Sequence, residues 1–281
     1  MGSIIWLASY PKSGNTWMRA FLANLIANRD KPLRPNDLRY YTDEEARADR
    51  FTEVAGRPNT ELSTAELAAL RIRVHAQIAQ RAQGTRLVKT HNFAGYCEGH
   101  SLFNWKTTAG AIYLLRNPLD VVVSMTHHYG LTIDEAIDRL GDDRVASIND
   151  ALYVSHVIGS WTTHVSSWAA VADRSPDNVL MLRYEDLLRS PVEHFAKAAR
   201  LIGVADDEAL IVRAVKHAEF RTLAALENSD GFVEAVDGKR RFFRIGSADQ
   251  WRDGLSRDQI ARIVHDHREQ MQRFGYIPPG Y

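Results

Sequence analysis

Short apolar runs alternate along this chain with longer stretches of helical periodicity, the pattern of βαβ units around a parallel sheet. Ile4-Ile5-Trp6-Leu7-Ala8 is apolar at successive positions, as a strand buried on both faces requires. Arg86–Thr90, Ala111–Arg116 and Val179–Arg183 read as further strands. A glycine-containing turn follows the first strand. It leads into a helix from Thr16 to about Asn28, with apolar spacing at Trp17, Phe21, Leu25 and Ile26. Asn117-Pro118-Leu119-Asp120 supplies an N-cap, a proline at the first helical position and an early acid. Ser190-Pro191-Val192-Glu193 predicts a capping box that opens a helix to about Leu201. Ser63-x-x-Glu66, Thr132-x-x-Glu135 and Ser256-x-x-Gln259 fit the same rule. The expected fold class is α/β: a single domain over residues 1–281 with a central parallel sheet flanked by helices. The polar stretches 29–58 and 227–241 read as loops of the kind that close over a substrate.

Composition narrows the function classes. Lys plus Arg is 35 and Asp plus Glu is 35, so the formal charge is zero. A general nucleic-acid binder needs a broad basic excess, and nucleic acid is not an expected partner. The one cysteine, Cys97, forms no intramolecular disulfide. No run approaches the ~20 apolar residues of a membrane span, and the start Met1–Trp6 lacks a signal-peptide pattern, so the expectation is a cytoplasmic protein without a membrane partner. His127-His128, His265 and His267 are poorly spaced for coordination, and Asp142-Asp143 and Asp206-Asp207 read as solvated caps. No metal site is therefore predicted.

Ser9-Tyr10-Pro11-Lys12-Ser13-Gly14-Asn15-Thr16-Trp17 lies between the first strand and the first helix. Such a turn aims free backbone N–H groups and the helix dipole at one point, which suits an anion. Gly14 permits close backbone approach, Lys12 adds a mobile positive charge, and Ser13 and Thr16 can donate hydroxyl hydrogen bonds. An ordinary strand–helix turn with a surface lysine is the plain alternative. The loop is not a Walker A motif, because Lys12 precedes Gly14 and Asn15 follows it.

At this point the chain resembles the cytosolic-type sulfotransferases, which use 3′-phosphoadenosine 5′-phosphosulfate (PAPS). Ser9–Trp17 is similar to their 5′-phosphosulfate loop, Tyr-Pro-Lys-Ser-Gly-Thr-Thr-Trp, with Asn15 in place of a Thr. The resemblance implies that Ser13, Gly14, Asn15 and Thr16 cradle the phosphosulfate, that Lys12 meets the oxygen bridging phosphate and sulfate, and that Trp17 packs on adenine. Without that motif Trp17 would read as a core aromatic.

Arg116-Asn117-Pro118-Leu119-Asp120 with Ser124 lies on a strand–helix junction, where open α/β sheets place ligands. A lone strand-end arginine would read as the partner of a carboxylate. The spacing resembles the family's 3′-phosphate motif, so Arg116 and Ser124 are its implied ligands, and Ser124 also restrains Lys12. Tyr184 in Tyr184-Glu185-Asp186 and Phe220 in His217-Ala218-Glu219-Phe220 match adenine contacts. Arg244 and Gly246 match the C-terminal 3′-phosphate signature Arg-Lys-Gly-x3-Asp-Trp. There Ile245 replaces the lysine, and Asp249-Gln250 replaces Gly-Asp before Trp251. A weakened clamp results, or one compensated by Lys239, Arg240 or Arg241.

Arg86-Leu87-Val88-Lys89-Thr90-His91 carries a histidine off the end of a strand. Imidazole titrates near neutrality and can take a proton from an acceptor, although a lone histidine is more often structural. Lys89-Thr90-His91 is similar to the family's Lys-Thr-His segment, which implies His91 as general base and Lys89 as a holder of the transferring group. The implied fold is the P-loop-kinase-like sulfotransferase fold. The implied reaction moves a sulfuryl group from PAPS to a hydroxyl or amine of a small-molecule acceptor, with His91, Lys12, Lys89 and Ser124 as the reacting set and adenosine 3′,5′-bisphosphate (PAP) as product. Phe93, Phe103, Trp105, Tyr129 and Phe232 point to a phenolic or otherwise apolar acceptor. The amphipathic C-terminal helix could bury its face within one chain or between two, so a homodimer stays open. An ATP-dependent phosphotransferase and a catalytically silent nucleotide-binding protein are the competing functions.

Overall fold

A computed structural model describes residues 2–204, 207–235 and 241–281. Lys239 and Arg240, two candidates for the missing charge, lie outside the described residues, as does Asp206. The strands are β1 (Ser3–Ser9), β2 (Asp43–Glu44), β3 (Thr85–Thr90), β4 (Tyr96–Cys97), β5 (His100–Ser101), β6 (Thr108–Leu115) and β7 (Val179–Arg183). The helices are α1 (Asn15–Ala27), α2 (Ala48–Ala55), α3 (Thr64–Arg81), α4 (Pro118–Tyr129), α5 (Ile133–Gly141) and α6 (Trp161–Arg174). They continue with α7 (Tyr184–Arg189), α8 (Pro191–Leu201), α9 (Glu208–His217), α10 (Phe220–Asp230), α11 (Trp251–Gly254) and α12 (Arg257–Arg273). The chain divides into two compact units. The first is Met1–Tyr10, Thr42–Tyr113 and Asp142–Met181, and the second is Pro11–Tyr41, Leu114–Gly141 and Leu182–Tyr281.

A parallel five-stranded sheet has the order β2-β3-β1-β6-β7. β3 is parallel to β1, with Ser3 opposite Thr85 and Ala8 opposite Thr90, and parallel to β2, with Glu44 opposite Lys89. β1 is apolar at consecutive positions because Ile4, Trp6, Leu7 and Ala8 are all buried. The core of the first unit is built from large rings. Trp6 meets Phe103 edge-on at 5.0 Å, and Phe103 meets Trp168 at 5.1 Å. Phe103 therefore belongs to this core, contrary to its reading as part of an acceptor pocket.

In the second unit α1 buries Met18, Phe21, Leu22 and Leu25, with Phe21 4.3 Å from Phe195. Ile26, expected on that face, is 46% exposed. The helix ends at Asn28, whose left-handed φ of 46° lets its N–H donate to the Asn24 carbonyl. Asn117 caps α4 by accepting from Leu119 N at 3.1 Å, while its own N–H donates to Glu185 Oε1 at 2.9 Å. Residues 29–58 are more ordered than their polarity implies. They carry a 3-10 helix (Pro35–Tyr40), edge strand β2 and α2.

The reciprocal capping box forms at Ser63 and Glu66 and at Ser256 and Gln259, and Thr132 and Glu135 make the same pair of bonds. It does not form at Ser190. That residue has φ −137° and ψ 68° with no side-chain cap, and Glu193 binds Lys197 at 2.9 Å instead. Ser63→Ala is accordingly expected to cost about 1 kcal/mol, and Ser190→Ala less than about 0.5 kcal/mol, in urea unfolding. Equal losses would show that the Ser190 hydroxyl caps α8 in solution.

Candidate active site

In the second unit the turn before α1 supplies the first group of residues. Lys12 has φ 68° and Gly14 φ 101°. A lysine in the left-handed region costs on the order of 1 kcal/mol and persists where its surroundings hold it. Arg116 does so, its Nη1 donating to the Lys12 carbonyl at 2.9 Å. A Cβ at Gly14 would stand 2.9 Å from Tyr184 Cδ2, so only glycine lets the turn run this close to the tyrosine ring. Ser13 Oγ and Trp17 Nε1 are buried with no hydrogen-bond partner among the described residues. The Lys12 ammonium lies 4.3 Å over the Phe242 ring. Phe242 in turn sits among Phe232 (4.9 Å), Phe243 (5.1 Å) and His128 (5.7 Å). Glu227 accepts from the backbone N–H groups of Phe242 and Phe243 and fixes that segment.

Arg116 is buried at the end of β6. Its hydrogen bonds go to two carbonyls, Lys12 O and Ser247 O at 3.3 Å, rather than to a carboxylate. Its guanidinium lies 4.4 Å over Tyr184, and Nε is without a partner among the described residues. Burial raises the Asp120 carboxyl above its usual pKa and Arg116 opposes the rise, while Asp120 accepts from Asp249 N and Trp251 N at 2.8 and 3.1 Å. Tyr184 also meets Trp17 at 5.5 Å, so Trp17, Tyr184, Gly14, Arg116 and Lys12 form one cluster. Asn15 and Thr16 are buried at the start of α1, and Ser124 is half-buried on α4. Phe220 lies against Gly246, where a Cβ would come within 2.2 Å of its ring. Ile245 is 48% exposed, and Arg241 and Arg244 are exposed. Unpartnered donors, a cationic turn and a buried arginine make this cluster fit for anions.

In the first unit His91 follows β3. Its Nδ1 contacts the Ser9 carbonyl at 2.8 Å, which assigns the hydrogen to Nδ1 and leaves the lone pair on Nε2. Burial, then Lys89 and His156, push its pKa down to about 3. It is thus a neutral proton acceptor at physiological pH, below the near-neutral value expected from its residue type. The Lys89 ammonium is 3.2 Å from Glu44 on β2. His164, read from the sequence as core, is buried. It accepts from Tyr113 OH at 2.9 Å and donates through Nε2 to the His91 carbonyl at 3.2 Å.

The residues on either side of His91 are held by Glu45, one residue beyond β2. Its fully buried carboxylate accepts from Arg71 and His75 at 3.0 Å, from Thr90 Oγ1 at 3.0 Å and from Asn92 Nδ2. Burial would raise this carboxyl, but Arg71, then His75 and His156, outweigh it and hold it well below the usual carboxylate range. Sequence reasoning missed Glu45, because an acid in the run Asp43-Glu44-Glu45 reads as solvated surface. It also missed Phe242, His127 and Gln250. The only signal was the position of Phe242 and Gln250 inside the C-terminal signature.

An α/β sheet with a cationic, glycine-containing turn after its first strand and a buried arginine after β6 has the form of a nucleotide-phosphate-binding protein. Residues 3–275 match the family described as the sulfotransferase domain, and the chain belongs to that family. Cytosolic sulfotransferase 17 of Arabidopsis thaliana is 25% identical over 292 residues, spanning 97% of this chain and 75% of that protein. Two solved structures share the fold. Mouse sulfotransferase SULT7A1 complexed with PAP has a TM-score of 0.63 at 20% identity, covering 96% of this chain and 84% of that one. Retinol dehydratase, in complex with androsterone and inactive cofactor PAP, has a TM-score of 0.63 at 21% identity, covering 96% and 80%.

Removing one member of the Glu45 cluster strands the others. Glu45→Ala is expected to destabilise the protein by about 3–5 kcal/mol, because Arg71 then lies buried without its partner. An unfolding free energy within 1 kcal/mol of wild type (about a factor of 5) would show that water solvates the cluster. Acid acts on the same network. The unfolded chain protonates its histidines from about pH 6.5, whereas the fold keeps His156 neutral to about pH 4 and His91 and His164 to about pH 3. Each therefore contributes stability above pH 6.5 that is lost as pH falls towards its folded value. The melting temperature is expected to drop steadily from pH 7 to pH 5, and a level profile there would contradict their burial.

Proposed function

We propose that the chain moves a sulfuryl group from PAPS to a hydroxyl or amine of a small-molecule acceptor and releases PAP. One observation carries the reading: Arg116 of the second phosphate motif donates to the carbonyl of Lys12 in the first, so one hydrogen bond joins both anion elements. The residues fit such a donor. Ser13 Oγ and Arg116 Nε are buried donors with no protein partner among the described residues, and Gly14 and Gly246 admit only glycine beside Tyr184 and Phe220.

PAPS supplies the activated S–O bond, which breaks as a new bond to the acceptor oxygen or nitrogen forms. Lys12 and the first N–H groups of α1 meet the charge left on the 5′-phosphate. Ser13, Asn15 and Thr16 orient that phosphate, and Arg116, Ser124, Arg244 and Gly246 bind the 3′-phosphate. Trp17, Tyr184 and Phe220 hold the adenine. His91 takes the acceptor proton at Nε2, since its Nδ1 hydrogen is committed to Ser9 O. Lys89, kept in place by Glu44, helps hold the transferring group. An apolar or phenolic acceptor belongs to the same proposal, supported by the rings of Phe232, Phe242 and Phe243 near the Lys12 ammonium. A cytoplasmic location and lid roles for residues 29–58 and 227–241 are part of it too. The loop lacks the Walker A order that an ATP-dependent phosphotransferase would use.

PAP is expected to raise the melting temperature while ATP with Mg²⁺ does not. Protection by ATP alone would refute the donor assignment. Arg116→Ala should weaken PAP binding by about tenfold or more, the loss of hydrogen bonds from a charged group. His91→Ala should bind PAP normally yet transfer sulfate about 10²–10⁴-fold more slowly. Normal turnover in that variant removes His91 as the base. With its pKa near 3, His91 should add no limb to the pH–rate profile between pH 5 and 8. A limb near pH 6.5 lost on His91→Ala would contradict the buried neutral ring.

A further inference from the structure

The C-terminal signature departs from its family pattern at Ile245, Asp249 and Gln250, and Gln250 binds the arginine that precedes Ile245. Arg244 reaches two side chains with its guanidinium. Nη1 donates to His127 Nε2 at 2.7 Å, and Nη2 donates to Gln250 Oε1. A guanidinium only donates, so His127 accepts at Nε2 and its ring is neutral there. Gln250 also donates from Nε2 to the Ser247 carbonyl at 2.9 Å, the same carbonyl that receives Arg116 Nη2 at 3.3 Å. Arg116, Ser247, Gln250, Arg244 and His127 thus form one continuous hydrogen-bonded path. His127 lies three residues after Ser124 on α4, so both stand on neighbouring positions of one helix face.

We propose that His127 and Gln250 are positioning residues that hold Arg244 beside Arg116 as the second arm of the donor's 3′-phosphate clamp, in place of the lysine that Ile245 replaces. This inference rests on the PAPS reading above. Two guanidiniums repel one another, and the Arg244 side chain is exposed, so without these acceptors it would swing into solvent. Burial and Arg116 both lower the pKa of Arg244, in keeping with that closeness. The nature of the acceptors matters. An amide oxygen and a neutral imidazole hold the guanidinium without cancelling its charge.

The test compares PAP with adenosine 5′-monophosphate, which lacks the 3′-phosphate, by calorimetric titration of the full chain. Wild type is expected to prefer PAP. Gln250→Leu and His127→Phe should each lower PAP affinity about threefold to tenfold, the loss of one or two hydrogen bonds, and leave the monophosphate unchanged. Ile245→Lys added to Gln250→Leu should restore the preference. A variant that weakens both nucleotides equally, or Gln250→Leu and His127→Phe proteins that bind PAP like wild type, overturns the positioning role while leaving the donor assignment intact. A wild type without any preference for PAP overturns the donor assignment, and this proposal with it.

Discussion

A carboxylate with no exposed surface must draw its hydrogen bonds and its counter-charge from the same chain, and Glu45 draws both from three separate segments. Arg71 and His75 come from α3, Thr90 and Asn92 flank His91, and His156 lies 3.7 Å away on a later loop. The arrangement has a directional consequence. His91 is fixed through its neighbours on both sides, through its own Nδ1 to Ser9 O and through its carbonyl to His164. An imidazole held this way needs little reorganisation to present Nε2, and its low basicity follows from the same burial.

The second unit uses Arg116 in a comparable way, with the opposite charge. Its guanidinium holds two carbonyls and faces the Tyr184 ring, and so arranges the Lys12 turn and the Ser247 segment around one cation. Asp120 fastens the backbone of Asp249 and Trp251 nearby. Positive charge here is arranged by carbonyls, rings and amides more than by carboxylates. Such partners leave an arginine able to receive a phosphate, because none of them neutralises it.

Much of this was legible in the residues. The apolar run at Ile4–Ala8, the strands at Arg86–Thr90 and Val179–Arg183, and the proline-marked start of α4 were readable because local preference and tertiary environment agree there. Both motifs behind the family resemblance were readable for a similar reason: each lies in a turn and its adjoining strand or helix, within a few residues. Ser190 misled, since a capping box also needs backbone angles that sequence does not specify. Residues 29–58 misled because their polar residues find partners inside the fold. Arg50 pairs with Asp43, and Glu45 with Arg71.

Taken by itself, the amino-acid order determined the alternation of elements and the family, since each is written in contiguous stretches. Only the tertiary structure decided that Glu45 is buried and ionised, that Lys12 rests over Phe242, and that Gln250 and His127 converge on Arg244. Gln250 and Arg244 are six residues apart, but the other contacts join positions 26 to 230 residues apart. Burial, tautomer and charge state depend on what packs around a group, and no local pattern encodes that.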